Sequence, residues 1–261
     1  MLADITLQAI QASLDAGKVL LAYKDQKLRT SLKSSSNRDI VTDVDIACEN
    51  VILDRLNLLS STPLRYISEE AGDNRGQSSS FWIIDPLDGT ANYSSGLPVY
   101  GVSIAYVRDA ELFSAAIYLP STNELLFAQR GYGAFKNQVR LKAHRNNTVD
   151  NSLISLTLPL NFPHPIHEQQ AYERFKALNN KSKGVLRLGS SVYSLAQCAQ
   201  QHIDICVGFR AKVWDVAAGL LIADESGLAS SLLPQEIMAT DLDYYVAPHQ
   251  SVDFLREVMQ E

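Results

Sequence analysis

Phe81-Trp82-Ile83-Ile84-Asp85-Pro86-Leu87-Asp88-Gly89-Thr90-Ala91-Asn92-Tyr93 is the stretch that decides the fold. The apolar run Phe81 to Ile84 predicts a buried strand. The strand is expected to stop at Asp85, because Pro86 lacks the amide hydrogen that a central ladder needs. Asp88, Gly89 and Thr90 follow at once. Two carboxylates therefore leave the end of a buried strand beside a glycine turn. That arrangement suits hard divalent cations, which take oxygen ligands and keep water in their remaining positions. It also suits phosphate, since the amides of Gly89 and Thr90 at a helix start would point at an anion. Taken alone, the stretch equally reads as an ordinary acidic turn, because Asp, Pro and Gly each favour turns.

Acidic partners elsewhere give it more weight. Leu64 to Ile67 reads as a short strand and runs into Ser68-Glu69-Glu70-Ala71-Gly72. Adjacent carboxylates repel, and they become useful when a cation sits between them and Asp85. Far downstream, Val213-Trp214-Asp215 precedes a helical stretch over 216–225, where Asp215 serves either as an N-cap or as a further acid of the site. Upstream, Lys33-Ser34-Ser35-Ser36-Asn37-Arg38-Asp39 predicts a polar loop. Thr42, Asp43 and Asp45 then open a helix over 46–59, where the macrodipole favours acids.

In order and spacing, these segments resemble the inositol monophosphatase family of magnesium-dependent, lithium-sensitive phosphatases. The residues that carry the resemblance are Asp39-Ile-Val-Thr-Asp-Val-Asp45, Ser68-Glu69-Glu70, Asp85-Pro-Leu-Asp-Gly-Thr90 and Trp214-Asp-Val-Ala-Ala-Gly219. Gly131-Tyr-Gly-Ala-Phe135 is similar to the family's glycine turn. Four separated motifs in one order are far more specific than any one of them.

Composition agrees with a globular enzyme: of 261 residues, 46% are hydrophobic and 20% charged. A net charge of -6 argues against a nucleic-acid partner bound by a basic face. No apolar run reaches the length of a membrane span, and a signal-peptide pattern is missing at Met1, so a cytoplasmic protein is expected. Cys48, Cys198 and Cys206 have no metal-ligand spacing and predict reduced, mostly buried thiols. His164 and His167 lie in a proline-flanked loop and read as polar surface. Helices are expected near 3–24, 45–59, 168–179, 190–201, 215–226 and 249–259. Strands are expected near 64–68, 81–85, 101–107, 112–118, 123–129, 152–157, 185–188, 203–207 and 243–247. The alternation over 101–129 predicts antiparallel strands.

The chain therefore reads as α+β in two halves, 1–146 with most of the acids and 147–261 supplying Asp215, with the site between them. The resemblance implies a layered αβαβα sandwich of the inositol monophosphatase and fructose bisphosphatase type, and a homodimer. It implies two or three Mg2+ ions. Glu69, Asp85 and the Leu87 carbonyl would hold the first, and Asp85, Asp88 and Asp215 the second. A third ion would share Glu69. An activated water, positioned by Glu69 and Thr90, would attack phosphorus. Asp45 would accept from Thr90, and Thr42 would support that network. Gly89 and Thr90 would hold the phosphate, with Lys33 on a closing loop and Gly189 and Ser190 facing the substrate.

The substrate rim departs from the family. Inositol-selective members usually carry a Glu six residues before the Trp-Asp pair, and here that position is Gly208, or Cys206 if the segment is shifted by two. Arg210 and Lys212 stand nearby. An acid lost and a base gained suggest an alternative substrate with a second anionic group, such as 3'-phosphoadenosine 5'-phosphate, NADP or fructose 1,6-bisphosphate. Arg210 in solvent and a loose monoester phosphatase read equally well. A non-catalytic binding member of the family is the remaining alternative.

Overall fold

The structure, a computed structural model, describes residues 1–24, 30–32, 40–58, 60, 62–159, 162, 164–231, 239 and 241–260. Strand β5 (Phe81–Asp88) runs through its centre. Phe81 and Ile83 face one apolar cluster, and Trp82 and Ile84 face another on the opposite side. Burial on both faces is why this strand is a continuous apolar run instead of an alternating one. It pairs in parallel with β3 (Tyr66–Ser68) and antiparallel with β6 (Gly101–Arg108). The strand does not stop at Asp85, as Pro86 led us to expect, but continues to Asp88. Its register against β6 shifts between Asp85 and Asp88. Pro86 falls in that irregularity, where its missing donor breaks no ladder bond.

Among the described residues the first sheet has eight strands. From β6 it continues antiparallel through β7 (Glu111–Leu119), β8 (Glu124–Gln129), β9 (Gly133–Lys136) and β10 (Val139–Arg140). On the other side of β3 lies β4 (Gly72–Asp73). Helices α1 (Asp4–Tyr23) and α2 (Asp43–Leu58) cover one face through Ala9, Ala12, Ala16, Leu20, Ile52 and Leu56.

The other face packs on α5 (Ser191–Ala199) and α6 (Val213–Ser226). These two helices also meet a second, five-stranded sheet, so they lie between the sheets. Its order is β12 (Gly184–Leu186), β11 (Leu153–Thr157), β13 (Ile205–Lys212), β15 (Asp241–Ala247) and β14 (Ala229–Ser230). Cys206, Tyr244 and Val246 face the inner helices, while Ile205, Val207 and Tyr245 face outward. Helices α4 (Pro165–Lys181) and α7 (Val252–Gln260) close that outer face with Ala171, Leu178, Leu255 and Val258. The layers are thus helix, sheet, helix, sheet, helix, as the resemblance implied.

Several local readings change. Two short antiparallel strands, β1 (Thr30–Leu32) and β2 (Ile40–Thr42), flank the segment 33–39, the expected polar loop, which lies outside the described residues. Lys33 and Asp39 lie outside the described residues. Helix α6 begins at Val213, so Asp215 sits in its first turn and Lys212 is the N-cap. The glycine turn after β8 docks on the far end of α6, where the amides of Gly131 and Gly133 donate to the Glu225 carboxylate at 2.9 and 2.8 Å. The three cysteines are buried free thiols.

Gly17 shows how tightly α1 sits on the first sheet. A Cβ there would come within 2.2 Å of the Tyr118 ring. Tyr118 has little freedom to yield, since its hydroxyl donates to Asn123 at 2.9 Å. Helix propensity alone would favour Ala over Gly by about 1 kcal/mol, but overpacking a close-packed face costs about 1–3 kcal/mol. Gly17→Ala is therefore expected to lower the thermal midpoint, and a raised midpoint would show that the contact relaxes freely.

Candidate functional site

The shift at the end of β5 turns Asp85 and Asp88 into one cleft of about 220 Å³. Its lining includes Glu69 from the end of β3, Asp215 from the first turn of α6, and the turn Gly89-Thr90. Four carboxylates from three separated stretches of chain thus share one depression. The lining is completed by Thr157 at the end of β11, by Leu158 after it, and by Arg187, Leu188, Gly189 and Ser190 before α5. The cleft lies between the two sheets, at the mouth of the inner helix layer.

Each acid is held differently. Asp85 is 1% exposed, and its Oδ1 accepts from the Leu87 amide at 3.0 Å. Its Oδ2 is buried and receives no donor. The group facing Asp85 is Glu69, and two carboxylates bond only by sharing a proton. Burial, with Glu69, Asp88 and Asp215 nearby, holds the Asp85 pKa well above the usual carboxylate range. Asp88 Oδ2 accepts from the Ser190 hydroxyl and from the Val192 amide, both at 2.6 Å. Asp88 is thereby tied to the N-terminus of α5, where Ser190 also caps Tyr193 at 3.0 Å. Withdrawal from water outweighs these bonds and pushes Asp88 up to about 7. Asp215 is raised by the same withdrawal and by Asp88 and Glu69, and the Lys212 amide only partly offsets this.

Behind the cleft lies a buried relay. The Thr90 hydroxyl lies within donating distance of Asp45 Oδ1, at 3.0 Å, and of the Leu87 carbonyl, at 3.1 Å. Asp45 is fully buried, and its Oδ2 accepts from the Thr42 amide at 2.8 Å and from the Thr42 hydroxyl. Gly89 makes the turn possible. Its φ is +89°, and a Cβ would sit 2.7 Å from the Val99 carbonyl oxygen. Only glycine meets both demands at low cost.

Not every expected residue arrives here. Arg210 sits in the β13 irregularity between Gly208 and Ala211, with φ +51°. It lies outside the cleft lining, its amide bonded to Asp243 at 2.7 Å and its guanidinium 3.4 Å from Asp241. Lys212 pairs with the same Asp241. The irregularity carries Arg210 to an exposed position beside Asp241 and Asp243, in line with the reading that left it in solvent. Ser190 does line the cleft, but its hydroxyl is committed to Asp88. Sequence reasoning missed Arg187, Thr157 and Asn92. Asn92 donates to the Val99 and Leu188 carbonyls, each at 2.8 Å, and so ties the turn after β5 to the segment before α5.

The donor set fits an oxygen-seeking cation. It offers carboxylates and one turn of backbone, and a buried Asp85 oxygen lacks any donor. Among the described residues the acids do not close into a ready-made cage of three.

Residues 1–245 match the family model for the inositol monophosphatase family. The chain belongs to that family. It is 34% identical to a protein of Xylella fastidiosa named Nus factor SuhB, over 84% of this chain and 78% of that one. It is 30% identical to a Thermotoga maritima protein named fructose-1,6-bisphosphatase/inositol-1-monophosphatase, over 75% of this chain and 72% of that one. The fold matches the crystal structure of the extragenic suppressor protein suhB from Bartonella henselae with a TM-score of 0.87, at 25% identity and 99% coverage of both chains.

The raised acids carry a pH signature. An unfolded Asp ionises near 4, so the folded protein is penalised as pH rises above that value, and for Asp88 the penalty is complete above about 7. Metal-free protein is expected to melt higher at pH 5 than at pH 8. Magnesium is expected to raise the midpoint more at pH 8, where fewer protons must leave. Thermal melts with EDTA and with magnesium at both values check this, and an equal magnesium shift at both would contradict it.

Proposed function

We propose that the chain hydrolyses a small phosphate monoester with the help of magnesium. The observation that carries this reading is the four-carboxylate cleft backed by the Thr90–Asp45–Thr42 relay. Glu69, Asp85, Asp88, Asp215 and the Leu87 carbonyl would hold two or three ions. Magnesium, when bound, supplies neutralisation of the phosphate charge and activation of water. The chain's own residues orient and move protons. The phosphate seats against the Gly89 and Thr90 amides at the start of a short helix (Thr90–Ser94). Glu69 and the Thr90 hydroxyl orient the attacking water. As the oxygen–phosphorus bond forms, a water proton passes to the Thr90 oxygen while the Thr90 proton passes to Asp45. The ester oxygen departs with the electrons of its bond. Asp45 does not line the cleft, so it acts through Thr90, and the two Thr42 donors hold its carboxylate in place. No covalent phosphoenzyme is formed, and positioning with charge neutralisation carries most of the rate. We also propose a homodimer as the working assembly.

The test is phosphate release from a panel of inositol 1-phosphate, 3'-phosphoadenosine 5'-phosphate, NADP, fructose 1,6-bisphosphate and a simple aryl phosphate. Release is expected to need magnesium and to stop with EDTA, with lithium as an inhibitor. Release that survives EDTA would overturn the metal-assisted reading. Asp45→Asn is expected to lower kcat about 10²–10⁴-fold with KM little changed, the range for losing a positioned proton acceptor. Asp215→Asn is expected to keep the melting transition and to weaken magnesium binding. Near-normal magnesium affinity in that variant would remove Asp215 from the site.

A further inference from the structure

Among the described residues lining the cleft, Arg187 is the one cation beside Glu69, Asp85, Asp88 and Asp215, and it is exposed. It follows the end of β12 at Leu186, on the wall formed with Leu158 and Leu188. No carboxylate or carbonyl among the described residues takes its guanidinium. Other arginines of this region are spoken for: Arg174 pairs with Asp243 and Arg210 with Asp241. An exposed arginine that pairs with no acid among the described residues, beside this cleft, is suited to a planar or tetrahedral anion.

Thr157 and Ser191 of the same lining are neutral. The Thr157 hydroxyl meets the Ser191 hydroxyl at 3.1 Å and the Tyr244 hydroxyl at 3.3 Å. Tyr244 is fully buried, and a Cβ on Gly208 would sit 2.1 Å from its ring. Tyr244 therefore fills the space that an acidic side chain at position 208 would need. Besides its four acids, the described lining of the cleft offers one cation and several hydroxyls.

We propose that Arg187 is a specificity-determining residue that receives a second anionic group, a phosphate or carboxylate carried by the ester some way from the phosphate being cleaved. This rests on the phosphomonoesterase reading and narrows its substrate class to bis-anionic monoesters. Arg187 stands apart from the reacting atoms, so its loss acts on substrate capture and not on the chemical step.

The experiment compares wild type, Arg187→Gln and Arg187→Lys with fructose 1,6-bisphosphate, 3'-phosphoadenosine 5'-phosphate and inositol 1-phosphate. For whichever bisphosphate wild type hydrolyses better, Arg187→Gln is expected to lose about 10- to 100-fold in kcat/KM, mostly through KM, the scale of one charged hydrogen-bonding partner. Inositol 1-phosphate should change by less than about threefold, and Arg187→Lys should recover part of the loss. Equal losses on mono- and bisphosphates, no loss on either, or a wild type that cleaves only inositol 1-phosphate would overturn the assignment. If wild type releases phosphate from none of them, the phosphatase reading fails separately. Because nothing is then consumed, the same compounds are titrated calorimetrically with magnesium. A bisphosphate affinity lost selectively in Arg187→Gln would still support Arg187, and unchanged or absent binding would overturn it.

Discussion

The burial of Asp85 beside three other carboxylates is the constraint on which the site depends. A buried acid with one oxygen lacking a donor is costly, and neutralising it by a proton or a cation removes that cost. The fold accepts the burden because β5 is otherwise among its best-buried strands, with Phe81, Trp82, Ile83 and Ile84 packed between two helix layers. The apolar strand fixes where Asp85 must emerge. The shift at Pro86 then sets the direction in which Asp85 and Asp88 leave it.

The second half of the chain completes the site through hydrogen bonds as well as charge. Asp88 is bound to the start of α5, and Asn92 ties the turn after β5 to the segment before α5. Asp215 enters from the first turn of α6, the helix whose apolar faces meet both sheets. One buried layer therefore places the acids of both halves. A disturbance of α5 or α6 would be felt in the cleft, even far from the carboxylates themselves.

Much of this was legible in the sequence. The run Phe81 to Ile84 and the alternation over 101–129 carry the buried and antiparallel strands, because burial leaves a direct trace in residue type, while the layered sandwich and the set of acids came from the family resemblance of the acidic motifs. What escaped detection was set by irregular backbone. The β13 irregularity decides between the two readings of Arg210 by turning it toward Asp241 and Asp243. Arg187 reads as a charge at a strand end, and only the packing of β11 and α5 against the β5 turn makes it a wall of the cleft. Pro86 looked like the end of a strand because sequence cannot show a register shift in the neighbouring ladder.

The most direct test of this account is a calorimetric titration of magnesium into metal-free protein, with and without inorganic phosphate. The acids and the anion-binding turn share one cleft, so phosphate should tighten magnesium binding, and binding at neutral pH should release protons from the raised carboxylates. Magnesium that does not bind, or binds with an affinity indifferent to phosphate, would contradict the claim that these carboxylates form a metal-assisted phosphate site.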